Sequence, residues 1–222
     1  MARCDCSGHE ATFTTKVAED DLRDYLRHGP DRTTRELVAA LRTEGVDGAS
    51  VIDVGGGIGA LGFELLAAGA ARVTSVDASS AYVETARREA ARRGTADRIE
   101  YRRGDFVELA PEVPPADLVT LARVVCCYGD MPALLGAAAG RAGRAVGLVY
   151  PRDAWWTRFG AALLSPIMAG RRDGFRFYVH RERAMDEVLR GAGFERRTIR
   201  RNAFWQVAVY DRVETVQRPV HA

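Results

Sequence analysis

The residues best suited to chemistry lie in one short run, Asp53-Val54-Gly55-Gly56-Gly57-Ile58-Gly59, where a carboxylate precedes a cluster of glycines. A backbone without Cβ atoms lets peptide N–H groups approach a ligand closely, and the acid beside it adds a negative charge. Two further acids follow: Asp77, closing the next apolar run, and Asp105 in Gly104-Asp105-Phe106, next to an aromatic ring. Gly57-x-Gly59-x-x-Gly62 with Asp77 beyond it also satisfies a dinucleotide fingerprint, in which the acid takes ribose hydroxyls and a helix start takes pyrophosphate. Two classes of ligand are therefore open on the glycine loop alone.

These residues work together only if the fold brings them to one edge, and the apolar periodicity supplies the elements that would do so. Val51-Ile52-Asp53-Val54 reads as a buried strand running into the glycines, and 60–68 as a buried helix. Arg72 to Asp77 is a second strand, with a helix over 80–93. Further strands are read at Ile99 to Arg102, Asp117 to Ala122 and Ala145 to Tyr150, with a helix near 131–140 before the last. Strands alternating with helices require right-handed crossovers and a parallel sheet covered on both faces. After helices near 153–169 and 181–192, Phe194 to Arg201 and Ala203 to Asp211 are separated by little more than a turn, which permits only an antiparallel pair. The expected fold is α/β: a Rossmann-like, seven-stranded, mostly parallel sheet with a C-terminal antiparallel hairpin and helices on both faces. Ahead of it, helices over 16–28 and 32–44 flank His28-Gly29-Pro30-Asp31. Asp31, Thr33 and Thr34 offer caps, and Leu37, Val38 and Leu41 an apolar stripe. We divide the chain into an N-terminal arm with lid-like helices, 1–45, and a single larger domain, 46–222.

Three features weigh toward a positively charged cofactor. Asp53 stands two residues before Gly55, where an acid suits a cation better than a pyrophosphate. Asp105 and Phe106 offer a carboxylate and a ring for an adenine, and the closing strands form a hairpin rather than another parallel unit. The Tyr-x-x-x-Lys pair of short-chain dehydrogenases is absent, because Lys16 is the single lysine. Residues 50–122 thus resemble a class I S-adenosylmethionine-dependent methyltransferase, whose Asp/Glu-x-Gly-x-Gly-x-Gly loop is matched by Asp53 to Gly59. The resemblance implies that Gly55, Gly57 and Gly59 line the methionine moiety and that Asp53 lies near its amino group. It further implies that Asp77 grips the ribose, Asp105 the adenine amino group and Phe106 the adenine face, with S-adenosylhomocysteine as product. Overall size and the two leading helices are similar to magnesium-protoporphyrin O-methyltransferases and related bacterial proteins. The sequence departs from these in carrying Gly-Gly-Gly where they commonly carry Gly-Cys-Gly.

Composition narrows the partners. The 222 residues are 47% hydrophobic and 28% charged, with a formal net charge of +2, which excludes a chain basic throughout to coat nucleic acid or membrane. Eight of the 22 glycines fall between Gly45 and Gly69. The start, Met-Ala-Arg-Cys-Asp-Cys, lacks the apolar run of a signal peptide, and no stretch is long enough to span a membrane. A cytoplasmic protein with reduced thiols, monomer or homodimer, is expected. The preferred reading is methyl transfer to a small-molecule acceptor, with oxygen as the favoured acceptor atom. The alternatives are an RNA methyltransferase, an NAD-dependent oxidoreductase and a non-catalytic S-adenosylmethionine-binding module.

Beyond the loop the candidates are fewer. Arg123, just after the fourth strand, is expected beside the methionine end of the cofactor, and Tyr128 facing the substrate. His180, before a helix, is a candidate general base, against the plainer reading of a structural or capping histidine. Asp105 has a plainer reading as a helix cap, and Phe106 as core. Trp155, Trp156 and Phe159 could wall a flat acceptor, although helical spacing favours core packing. Cys126 and Cys127 read as small buried hydrophobes. No metal site is expected: Cys4-x-Cys6-x-x-His9 lacks a fourth ligand. Ten arginines between Arg171 and Arg201 are read as solvated faces, with a nucleic-acid patch as the rival.

Overall fold

The structure, a computed structural model, describes residues 10, 12–157 and 176–213. Helices α1 (Thr15–His28) and α2 (Arg32–Thr43) lead into strand β1 (Ser50–Val54). Then follow α3 (Ala60–Ala67), β2 (Arg72–Asp77), α4 (Ser80–Arg93), β3 (Ile99–Arg103), the short α5 (Phe106–Leu109) and β4 (Ala116–Ala122). After a 3-10 turn at Val125–Cys127 come α6 (Met131–Arg141), β5 (Ala142–Pro151), α7 (Glu182–Gly191), β6 (Phe194–Arg201) and β7 (Trp205–Arg212).

All seven strands form one sheet in the order β3-β2-β1-β4-β5-β7-β6. The first five are parallel, while β7 runs antiparallel to both β5 and β6. The expected hairpin therefore docks by its second strand. The helix expected over 153–169 lies mostly outside the described residues. Among the described residues no helix is long and apolar enough to cross a membrane.

The leading helices are fastened to this sheet in different ways. Asp31 caps α2, accepting from the Thr33 and Thr34 amides at 2.7 and 3.1 Å. Leu37 and Leu41 are fully buried in one apolar cluster with Ala145, Val149, Val207 and Val209 of β5 and β7. A Cβ at Gly147 of β5 would stand 2.9 Å from Leu37, so α2 packs closely because that position is glycine. In physical terms α2 is part of the sheet's covering layer. Helix α1 buries Ala18 and Tyr25 in the same cluster and adds polar latches: Tyr25 donates to Glu64 at 2.8 Å, and Tyr82 donates to Asp21 at 2.5 Å.

Candidate active site

Parallel strands deliver their carboxyl ends to one edge of the sheet, and the strand order reverses between β1 and β4. A crevice is expected there. A cavity of about 410 Å³ occupies that edge, bounded by the ends of β1, β2, β3 and β4. Its lining includes Asp53, Gly55, Gly57, Asp77, Asp105, Phe106, Arg123 and Tyr128.

The glycine loop is shaped by what surrounds it. Gly55, Gly57 and Gly59 all have positive φ, at 65°, 54° and 84°. At Gly55 a Cβ would lie 2.0 Å from a Val124 methyl, so the chain just after β4 presses directly on the loop. At Gly57 no atom lies within 4 Å of a Cβ position, and its N–H donates to Asp77 Oδ2 at 2.8 Å. Gly59 differs from expectation. It is not among the cavity-lining residues, and its Cβ position is covered by the Phe63 ring at 3.1 Å. It starts α3 and lets that helix pack, while Gly56, not singled out by sequence, lines the cavity instead.

Asp53 is 1% exposed, at the floor of the site. Register places it level with Ser75 of β2 and Thr120 of β4. Thr120 donates to its Oδ1 at 2.8 Å, but Oδ2 is buried with no hydrogen-bond partner. Burial is the main cause that pushes its carboxyl up to about 7; Asp77 adds repulsion, against the Thr120 hydrogen bond. Asp77 caps the following turn through Oδ1, which accepts from the Ser79 amide at 2.8 Å.

Arg123 adopts φ of 62°, a left-handed conformation that an arginine enters only when its surroundings compel it. Its guanidinium meets Asp31 at 2.9 Å and Thr33 Oγ1 at 3.0 Å, and lies 5.0 Å from the Trp205 ring centre. One side chain thus ties the α2 cap, the rim of the cavity and β7. Although burial opposes its ionisation, the Asp31 carboxyl is held below its usual range by Thr33, Arg123 and Thr34.

Both candidates for catalysis are engaged by protein groups. Tyr128 is buried and directs its hydroxyl to Asp105 rather than to open space. His180 is not among the residues lining the large cavity, and its Nε2 lies 3.0 Å from the carbonyls of both Val125 and Tyr128. Burial lowers its pKa, against the two carbonyls, so the neutral ring keeps its proton on Nε2 to serve them. Both plainer readings of Asp105 and Phe106 also hold in part: Asp105 caps α5, and Phe106 is a core residue that reaches the cavity.

The aromatic reading needs correction as well. Trp155 and Trp156 are 76% and 45% exposed, so helical spacing did not mean core packing here. Phe159 lies outside the described residues, as do Cys4, Cys6 and His9. Cys126 is buried and Cys127 half-buried, their sulfurs 3.8 Å apart, with Cys127 at the cavity wall. Sequence reasoning missed Phe13, Asp21 and Tyr82, which line the cavity from α4 and the chain around α1. Their partners are more than sixty positions apart in sequence, so no local pattern could have revealed them.

Residues 51–141 match the family model described as a methyltransferase domain. A search of curated proteins found no match. Among solved structures, the chain is similar to magnesium protoporphyrin IX methyltransferase from Synechocystis PCC 6803 with bound S-adenosylhomocysteine. That likeness has a TM-score of 0.72 at 21% identity, covering 92% of this chain and 98% of the other. An O-methyltransferase family protein from Burkholderia thailandensis gives 0.69 at 20% identity, over 91% and 62% of the two chains. Human N-acetylserotonin methyltransferase in complex with S-adenosylmethionine gives 0.63 at 20% identity, over 90% and 56%. Residues 51–141 thus carry a methyltransferase domain, set in a fold shared with these solved methyltransferase structures.

Proposed function

We propose that the protein is a class I S-adenosylmethionine-dependent methyltransferase that methylates an oxygen of a small-molecule acceptor and releases S-adenosylhomocysteine, and that the cavity at the β1–β4 reversal holds the cofactor. The observation that carries this reading is Asp53 Oδ2, a buried acceptor without a partner at the floor of that cavity. A cationic amino group satisfies it, whereas a dinucleotide pyrophosphate would set like charges together. This weighs against the NAD-dependent oxidoreductase. In the same reading Gly55 and Gly57 face the methionine moiety, Arg123 stands at its end, Asp77 takes the ribose hydroxyls, Asp105 the adenine amino group and Phe106 the adenine face.

When bound, S-adenosylmethionine supplies a methyl carbon already activated by its sulfonium. The protein's own work is to hold the acceptor in line and exclude water, an arrangement able to lower the barrier by roughly 7–11 kcal/mol. Among the described residues no histidine lines the cavity. Of its carboxylates, Asp21 is engaged by Tyr82 and Asp31 by Thr33, Thr34 and Arg123, while Asp53, Asp77 and Asp105 are assigned to the cofactor, so an acceptor that ionises unaided, a carboxylate or an acidic hydroxyl, fits best. An O-methyltransferase family protein among the similar structures supports oxygen as the acceptor atom. The basic C-terminal stretch lends little support to RNA: Arg183 pairs with Glu187, Arg196 with Glu182 and Asp186, Arg197 with Asp211, and Arg201 with Glu182.

Asp53 gives the test a pH signature. The folded chain keeps a proton that the unfolded chain releases near pH 4, so this group costs stability increasingly as pH rises from about 4 to 7. A bound amino cation favours the ionised form, so binding releases that proton below pH 7. We expect calorimetry to show S-adenosylhomocysteine binding about tenfold tighter at pH 8 than at pH 6, with proton release at pH 6. NAD(H) should give no heat. Tight binding of NAD(H) without S-adenosylhomocysteine would overturn the reading.

A further inference from the structure

Tyr128 and His180 lie on one connected path that ends at the Asp105 carboxylate. The Tyr128 hydroxyl donates to both oxygens of Asp105, at 3.1 Å to Oδ1 and 2.9 Å to Oδ2. Oδ1 also accepts from the Val107 amide at 2.9 Å. Two donors engage Oδ1, while Oδ2 has one and keeps a second acceptor position. Asp105 is 6% exposed, and it lines the cavity. A buried carboxyl in this setting is rotationally fixed by its partners, and the phenol is the partner that reaches both oxygens.

Tyr128 is itself fixed from behind. It follows the Val125–Cys127 turn, and His180 Nε2 faces the carbonyls at either end of that segment, Val125 and Tyr128. The Tyr178 amide donates to the Cys126 carbonyl at 2.7 Å, and the Tyr178 ring stacks on His180 with centres 5.6 Å apart. The chain before α7 thus clamps the turn that carries the phenol.

We infer that Tyr128 is a positioning residue for base specificity: it turns the remaining acceptor of Asp105 toward the exocyclic amino group of the cofactor's purine, with His180 holding the turn. This rests on the proposed role of Asp105 at the adenine. A purine with an amino group at that position donates to Oδ2. A purine with an oxo group there sets oxygen against oxygen, and a site built around a hydrogen bond rejects such an analogue strongly. His180 and Tyr128 then act through Asp105, away from the reacting atoms.

The probes are S-adenosylhomocysteine and its hypoxanthine analogue, S-inosylhomocysteine, measured by calorimetry. The wild type should prefer the adenine ligand by at least about tenfold. Tyr128→Phe should narrow that preference by at least about threefold, through weaker adenine binding with the analogue little changed. A preference equal to that of the wild type, or equal weakening of both ligands, would overturn the role of Tyr128. Asp105→Asn offers the purine both a donor and an acceptor and should erase the preference. If Asp105→Asn keeps it, the adenine reading itself fails, a result distinct from failure of Tyr128 alone. His180→Ala leaves every group at the purine edge chemically intact and carries the same test where Tyr128→Phe does not yield folded protein. It should narrow the preference by a smaller factor, and an unchanged preference would overturn the relay.

Discussion

Gly55→Ala is expected to weaken cofactor binding by at least about a hundredfold while leaving most of the sheet folded. The position combines two demands that alanine cannot meet together. Its φ of 65° lies in the left-handed region, where a Cβ costs roughly 1–2 kcal/mol. That Cβ would also stand 2.0 Å from Val124 Cγ2, and relieving such overpacking typically costs about 1–3 kcal/mol more. The loop relieves both by moving, which breaks the bond from the Gly55 amide to the Val76 carbonyl at 2.7 Å and displaces the Gly57 amide from Asp77. Calorimetry with S-adenosylhomocysteine should show affinity falling by at least about a hundredfold, the equivalent of about 2.7 kcal/mol. Adding Val124→Ala removes the steric part but not the φ strain, so the double variant should recover part of the loss. Wild-type affinity in Gly55→Ala would mean that the Val124 contact does not constrain the loop.

Asp77→Ala should weaken S-adenosylhomocysteine at least tenfold, again with the fold kept. Each hydrogen bond between a carboxylate and a hydroxyl contributes about 1.5–3 kcal/mol, and two ribose hydroxyls are available to this side chain. The carboxylate also organises the free site, holding the Gly57 and Ser79 amides at 2.8 Å each. Its removal therefore loosens the loop as well as the ribose. Asp77→Asn should be intermediate, because the amide oxygen can still accept from one of these amides. Equal affinity for wild type and a folded Asp77→Ala would remove the ribose assignment.

Most of the fold was legible because it rests on local signals. Strand β2 and helix α4 begin and end where they were read from the apolar runs, and the Asp31 cap forms on the two threonines that follow it. The parallel pairing of β1 to β5 and the antiparallel C-terminal pair followed from connection length. The interior of the site was less legible, because its decisive contacts join distant residues. Gly59 looked like a ligand-facing glycine, yet its role is set by Phe63 and Ala86, which a motif does not contain. Tyr128 looked free to face a substrate until the short helix α5 brought Asp105 within reach of its hydroxyl. His180 carries the residue type of a base, but burial and two carbonyls give it a holding task. Trp155 and Trp156 show the converse: helical spacing with aromatic residues signals a core only where another element covers them.

In the proposed binding mode one cavity, at the carboxyl ends of β1 to β4, holds S-adenosylmethionine with its amino group over Asp53. A crystal structure with S-adenosylhomocysteine is the decisive measurement. The ligand's amino nitrogen should lie within hydrogen-bond distance of Asp53, directly or through one water, with the ribose on Asp77 and the purine amino group on Asp105. A ligand bound outside this cavity, or one reversed in it with the purine over Asp53, would rule that mode out.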